Sequence, residues 1–223
     1  MTGEGMAGMS ERDTGIDADR IGSEQQLRAL HAPPSDLVKR KCVDRLDRHA
    51  RDFVALSPFL VLGTANAKGE ADVSPRGDPP GFVKVLDDRT LLIPDRPGNN
   101  LLDSLSNILA NPEVGLLFVI PGFDETLRVN GRAAVVREPA LLAPLAVDGK
   151  APKVAIRVDV REVYLHCAKS FRRARLWDPA ARVPRGTLPS LGKMVMDMTA
   201  MNYDDATARA IESRVEESMK KLY

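Results

Sequence analysis

The chain has 223 residues, 43% of them hydrophobic, enough for one core-forming domain with extensions. Lysine and arginine number 32 against 31 aspartates and glutamates, so no overall field draws the protein to nucleic acid or an anionic membrane, and any anion has to be recognised by a local cluster. No stretch reaches the roughly eighteen uninterrupted apolar residues of a membrane span. The start carries no apolar signal core, and Cys42 and Cys167 fit no metal or redox spacing. A cytoplasmic protein in a reducing compartment is expected.

In chain order, residues 1–22 are polar and glycine-containing and are expected to stay flexible. Ser23 is a candidate N-cap for a first helix, and after the HAPPSD break a second helix is predicted over 37–56. Its stripe of Leu37, Val43, Leu46, Phe53 and Val54 suits packing across a barrel. Ser57-Pro58 stops that helix, and FLVLGTA pairs as a hairpin with residues 71–76 across a turn containing Lys68-Gly69. Residues 82–86 and 90–93 form the next pair. A short helix over 100–110 ends at Asn111-Pro112, because a residue before proline disfavours helix.

Then come VGLLFVI, the long strand TLRVNGRAAVV, a leucine- and alanine-rich helix or excursion over 138–152, and a last alternating strand over 153–167. The chain turns helical again through AKSFRRARLW and closes on two helices within 180–223. The organisation expected is a flexible 1–22 segment, helices over 23–56, a barrel over 57–179 and terminal helices over 180–223. Several short strands around one central helix suggest a small closed or nearly closed antiparallel barrel.

One stretch, residues 72–96, puts Arg76 and Arg96 near strand ends, each beside a proline that stiffens the backbone. Fixed guanidiniums of this kind suit an anionic cofactor, although surface hairpins also carry arginines with no such role. The runs VSPRGDPPGF, LLIPDRPGNN, DSLSNILANPEVGLLFVIPG and ETLRVNGRA resemble the pyridoxamine 5′-phosphate oxidase-like family, the FMN-binding split barrels, over about Leu56 to Pro179. The likeness is to its uncharacterised flavin-binding subgroup rather than to the oxidases themselves.

The resemblance implies a mainly β fold with flanking helices, an antiparallel FMN-binding split barrel of Greek-key type, and a homodimer sharing two flavins. It implies an oxidoreductase that moves a hydride or electrons to or from an unknown small substrate, with NAD(P)H a candidate reductant. The alternative is non-catalytic binding, storage or sensing of flavin or another cofactor. Haem is disfavoured by 4% aromatic content and the lack of an evident axial ligand pair.

Carried onto this chain, Ser74, Pro75, Arg76 and Gly77 run along the flavin, with Ile93 and Pro94 beside the ring. Arg96, Asn99 and Asn100 surround phosphate or ribityl oxygens near a helix start, where free amides also favour an anion. The Arg-Lys pair by which the oxidases hold phosphate falls on Asp103 and Ser104, and Arg96 is the expected replacement.

A second cluster, Lys169, Arg172, Arg173 and Arg175 with Trp177 nearby, reads on its own as a solvated helix face. The resemblance makes Lys169, Arg173 and Trp177 candidates for flavin or substrate contact, and helical spacing puts Lys169 with Arg173, and Arg173 with Trp177, on one face. Arg128 and Asn130 share one side of a strand and face either a pocket or a cross-strand partner. His31, His49 and His166 are scattered and propose no metal site. Neither GxSxG nor the P-loop pattern occurs, which removes sequence support for hydrolase and nucleotide triphosphatase readings.

Overall fold

A computed structural model describes residues 20–199, 204–220 and 222–223 of the protein. Most of the expected flexible segment therefore lies outside the described residues, as does part of the stretch between the two terminal helices. Arg40 closes one compact unit and Lys41 opens another, which carries the whole sheet. In the first, α1 (Glu24–Ala29) is capped by Ser23, whose side chain accepts from Gln26 N, and α2 spans Asp36–Arg40; neither buries a residue.

The helix predicted over 37–56 is broken in two, because α3 covers only Arg48–Leu56. The Asp47 carboxylate starts it by accepting from Ala50 N at 2.8 Å. Upstream, Val43 leaves the helical path and exchanges two backbone hydrogen bonds with Val163, at 3.0 and 2.7 Å. A strand edge with unpaired amides takes precedence there over continuing a helix. Of the stripe, Leu46 and Val54 are at most 1% exposed and belong to the main core, joined there by Ala50, while Phe53 packs against that core partly buried.

The sheet has seven strands: β1 (Phe59–Ala65), β2 (Ala71–Gly77), β3 (Lys84–Val85), β4 (Thr90–Pro94), β5 (Glu113–Val119), β6 (Thr126–Val136) and β7 (Ala155–His166). They pair antiparallel throughout in the order β2-β1-β5-β6-β7-β4-β3. The chain thus jumps from one edge hairpin to the other before filling the middle, a path consistent with the expected split barrel. The β3 strand is shorter than expected, and the pair forms only between Lys84-Val85 and Leu91-Leu92.

Strand alternation does what period-two patterning demands. Leu60, Leu62, Leu116, Phe118, Leu127 and Val129 point into the core at no more than 1% exposure. Their neighbours Val61, Leu117 and Val119 lie half-buried on the outer face. The helix α4 (Asp103–Ala110) packs against β1, β2 and β6. The 138–152 segment is a short helix, α5 (Pro139–Leu142), running into a 3₁₀ turn at Ala143–Leu145; Leu142 and Leu145 form a second small core with Leu92 and Ala155. Beyond β7 lie α6 (Lys169–Ala174), α7 (Leu191–Met198) and α8 (Asp205–Lys220). The last two are joined by Ser190 Oγ donating to Glu212 at 2.6 Å. Among the described residues no helix is long and apolar enough to cross a membrane.

The register of β6 and β7 shifts between Asn130 and Gly131, a bulge that leaves Arg161 of β7 without an opposite residue. A Cβ on Gly131 would sit 2.3 Å from the Asp159 carbonyl oxygen, a backbone atom that cannot step aside cheaply. Gly131→Ala is expected to lower stability by about 2–3 kcal/mol, read as a lower urea midpoint; an unchanged midpoint would show that the bulge is soft.

Candidate functional site

Four charged side chains meet where β2 and β4 end. These strands occupy the first and sixth places in the sheet and share no backbone pairing. Arg76 Nη1 donates to Asp95 Oδ1 at 3.0 Å, and Arg96 Nε donates to Asp78 Oδ2 at 2.6 Å. The pairs cross: each strand end contributes one arginine and one aspartate. Both arginine side chains are 18% exposed, Asp95 is 23% exposed and Asp78 only 2%. The two arginines singled out from sequence are therefore brought together, each already holding a carboxylate.

The local sequence explains the placement. In β2, register with β1 pairs Asp72 with Thr64, Ser74 with Leu62 and Arg76 with Leu60, so these three polar side chains share the inward side of an edge strand. Pro75 lies on the outward side, tolerable because an edge strand can do without one amide. Asp72 Oδ2 accepts from Ser104 Oγ at 3.2 Å and from Thr64 Oγ1 at 3.4 Å, while Asn107 Nδ2 donates to Thr64 Oγ1 at 3.1 Å. Ser104 is thus a buried strut between α4 and β2.

The segment between β4 and α4 is held in an uncommon backbone shape. Asn100 and Leu102 have φ of 60° and 61° without being glycine, a conformation that costs energy and clusters at functional loops. Asn99 spends its side-chain oxygen on Leu101 N at 3.1 Å. Gly77 ends β2 beside Phe59, and Pro94 pairs with Ala155. The Ile93 side chain is fully buried in the main core with Leu91. Alternation sends it inward between its neighbours on β4.

The second cluster stands apart from this one. Arg175 adopts φ 50° and ends α6, so the helical relation expected between Arg173 and Trp177 is absent. Trp177 Nε1 instead donates to Phe123 O at 2.7 Å, and Arg172 pairs with Asp124 at 3.1 Å, which docks α6 on the turn between β5 and β6. Lys169 and Arg173 are exposed, with Lys169 at the helix start.

Arg128 and Asn130 take the cross-strand option, both reaching Glu162, at 3.3 and 2.9 Å. The Arg128 guanidinium also lies 4.1 Å from the centre of the Tyr164 ring, with His166 alongside at 4.7 Å between ring centres. Burial, then the positive charges of Arg128 and Lys41, hold His166 below the usual histidine range.

Several residues of the site escape a reading that looks only for cations. Asp78 and Asp95 were visible as the acidic halves of Arg-Gly-Asp and Asp-Arg, a complementary arrangement that signals mutual pairing. Asp72, Ser104 and Tyr223 carry no comparable signal. Tyr223 nevertheless donates its hydroxyl to Asp78 and lies with its ring 5.6 Å from the Arg96 guanidinium carbon.

Fit to a phosphorylated cofactor can be judged on the donors. Arg76 Nε is buried without a hydrogen-bond partner, and each arginine gives only one nitrogen to its aspartate. Donors are thus left for a further anion, although the two carboxylates cancel the net charge. The residues fit a ligand gripped by directed hydrogen bonds rather than by excess positive charge.

The profile of the family described as Pyridoxamine 5′-phosphate oxidase matches residues 46–167, more than half of the chain. The protein belongs to the pyridoxamine 5′-phosphate oxidase-like family. No curated protein sequence matches it. Similar solved structures include HupZ of Group A Streptococcus, 18% identical over 52% of this chain and 90% of that one, with a TM-score of 0.44. An FMN-binding protein from Syntrophomonas wolfei is 12% identical over 53% and 84%, at 0.41. HutZ, the heme storage protein from Vibrio cholerae, is 14% identical over 55% and 94%, at 0.39.

Two outcomes follow from the charges. Arg96→Ala strands a nearly buried carboxylate and is expected to cost about 3–5 kcal/mol, against about 1–3 for Arg76→Ala, whose aspartate is better hydrated; urea denaturation giving equal losses would contradict this ranking. Because His166 titrates lower in the folded than in the unfolded chain, stability is expected to fall as pH drops below the unfolded value of about 6.5. His166→Gln removes that part of the slope, and an identical pH 5–7 profile for the variant would count against it.

Proposed function

We propose that the protein binds FMN at the crossed arginine-aspartate pairs and is an FMN-dependent oxidoreductase acting on a small substrate. The observation that carries the reading is the meeting of Arg76 and Arg96 at adjoining strand ends with donors to spare, one of them buried and unpartnered. Membership of the family supports it.

In this reading Arg76 and Arg96 hold phosphate oxygens, and Ser74, on the same side of β2 as Arg76, offers a hydroxyl to the ribityl chain. The helix α4 starts without a side-chain cap, which leaves its first amides for the same anion. Ser104 takes no part in phosphate binding, since its hydroxyl is committed to Asp72. Bound FMN supplies hydride or single-electron chemistry, and the chain contributes orientation and positive charge near the ring. NAD(P)H is the reductant proposed.

A homodimer belongs to the same proposal. Half-buried Val61, Leu117 and Val119 and the 67%-exposed Val73 share the outer face of β1, β2 and β5, an apolar surface suited to a second copy. In such a dimer Lys169 and Arg173, exposed and four residues apart on α6, are the groups proposed to reach the other copy's cofactor, with Trp177 behind them. Non-catalytic flavin storage is separated from turnover by anaerobic mixing with NADH or NADPH, since only an enzyme bleaches the flavin rapidly with one of them.

Wild-type protein is expected to show saturable FMN binding with flavin absorbance. Arg76→Ala is expected to weaken it roughly 10- to 150-fold, the loss of one charge-assisted hydrogen bond. Absence of saturable binding by the wild type would end the proposal.

A further inference from the structure

The contact of Tyr223 with the crossed pairs assigns that residue a role. A carboxylate facing a guanidinium ordinarily takes two parallel hydrogen bonds, one from each prong of the fork. Asp78 does not do so. Its Oδ2 accepts from Arg96 Nε at 2.6 Å, while its Oδ1 accepts from the Tyr223 hydroxyl. With the carboxylate 2% exposed, both oxygens are spoken for inside the protein. Among the described residues, no other hydrogen bond or ion pair engages the terminal nitrogens of Arg96.

The guanidinium carbon of Arg96 also lies over the ring of the same tyrosine, 5.6 Å from its centre. Cation-ring contact leaves the in-plane donors open, which is where an oxyanion binds. Hydrogen bonding to Asp78 also holds the phenol above the usual tyrosine range, in keeping with a hydroxyl that donates to a carboxylate.

We propose that Tyr223 is a positioning residue of the phosphate subsite: by occupying Asp78 Oδ1 it keeps the Asp78–Arg96 pair single-pronged and reserves the terminal nitrogens of Arg96 for a phosphate monoester. This rests on the FMN reading above and adds to it the residue that arms Arg96. Without the hydroxyl, Asp78 turns its second oxygen onto the guanidinium and competes with the ligand. Alignment of a charged donor is the quantity at stake, so the effect belongs to ligands that carry the phosphate.

The test compares FMN with riboflavin, which has the same ring system and ribityl chain and lacks only the phosphate, by flavin fluorescence titration of the full chain. Tyr223→Phe keeps the ring and removes the hydroxyl; it is expected to weaken FMN roughly tenfold and to leave riboflavin within twofold. In an Asp78→Asn background, where no second anionic oxygen remains to compete, the same substitution is expected to change FMN affinity less than threefold. Equal weakening of both flavins, or no weakening of either, would overturn the role given to Tyr223 and leave FMN binding standing. A wild type that binds neither flavin would overturn both.

Discussion

Two ion pairs crossing between the ends of β2 and β4 are the constraint on which the rest of the architecture turns. An antiparallel sheet of this length leaves its outer strands unpaired along one side, and nothing in the backbone connects the first strand to the sixth. The side chains do it instead. Arg76 with Asp95 and Arg96 with Asp78 tie the two strand ends together, and α4 packs against the neighbouring β1 and β2. A carboxylate as dehydrated as Asp78 is tolerable only while its cation stays in place. The approach of these two strand ends and the integrity of the charge cluster are therefore linked.

That coupling shapes what the cluster can recognise. Its formal charges cancel, in keeping with a chain whose lysines and arginines are nearly matched by its acids. Attraction over long range is therefore weak, and selectivity has to come from the direction of the remaining hydrogen-bond donors. An arginine fork serves this well, because one prong can be spent on structure while the other is aimed elsewhere. The proposed phosphate subsite and the structural clasp then share residues, and the tyrosine beyond α8 determines how the donors of Arg96 are divided between the two.

Much of the fold was legible because period-two alternation and turn residues act locally. The β1–β2 hairpin, the long β6 and the late β7 fall within a residue or two of expectation, and Ser57-Pro58 and Asn111-Pro112 stop helices where they should. The failures have a common origin in partners distant along the chain. Val43 sits at a plausible helical position, yet the free edge of β7 beside Val163 draws it into a bridge. The sequence shows Arg76 two residues from Asp78 and Arg96 next to Asp95, but only the fold brings each arginine to the other strand's acid. Helical spacing sets Trp177 on one face with Arg173, and a left-handed Arg175 interrupts that spacing.

The most direct examination of this account is a crystal structure of the protein grown with FMN. The account predicts phosphate oxygens within about 3 Å of nitrogens on both Arg76 and Arg96, with Asp78 still bound to Arg96 through a single oxygen. A phosphate bound elsewhere, with the four charged side chains paired only to one another, would contradict it.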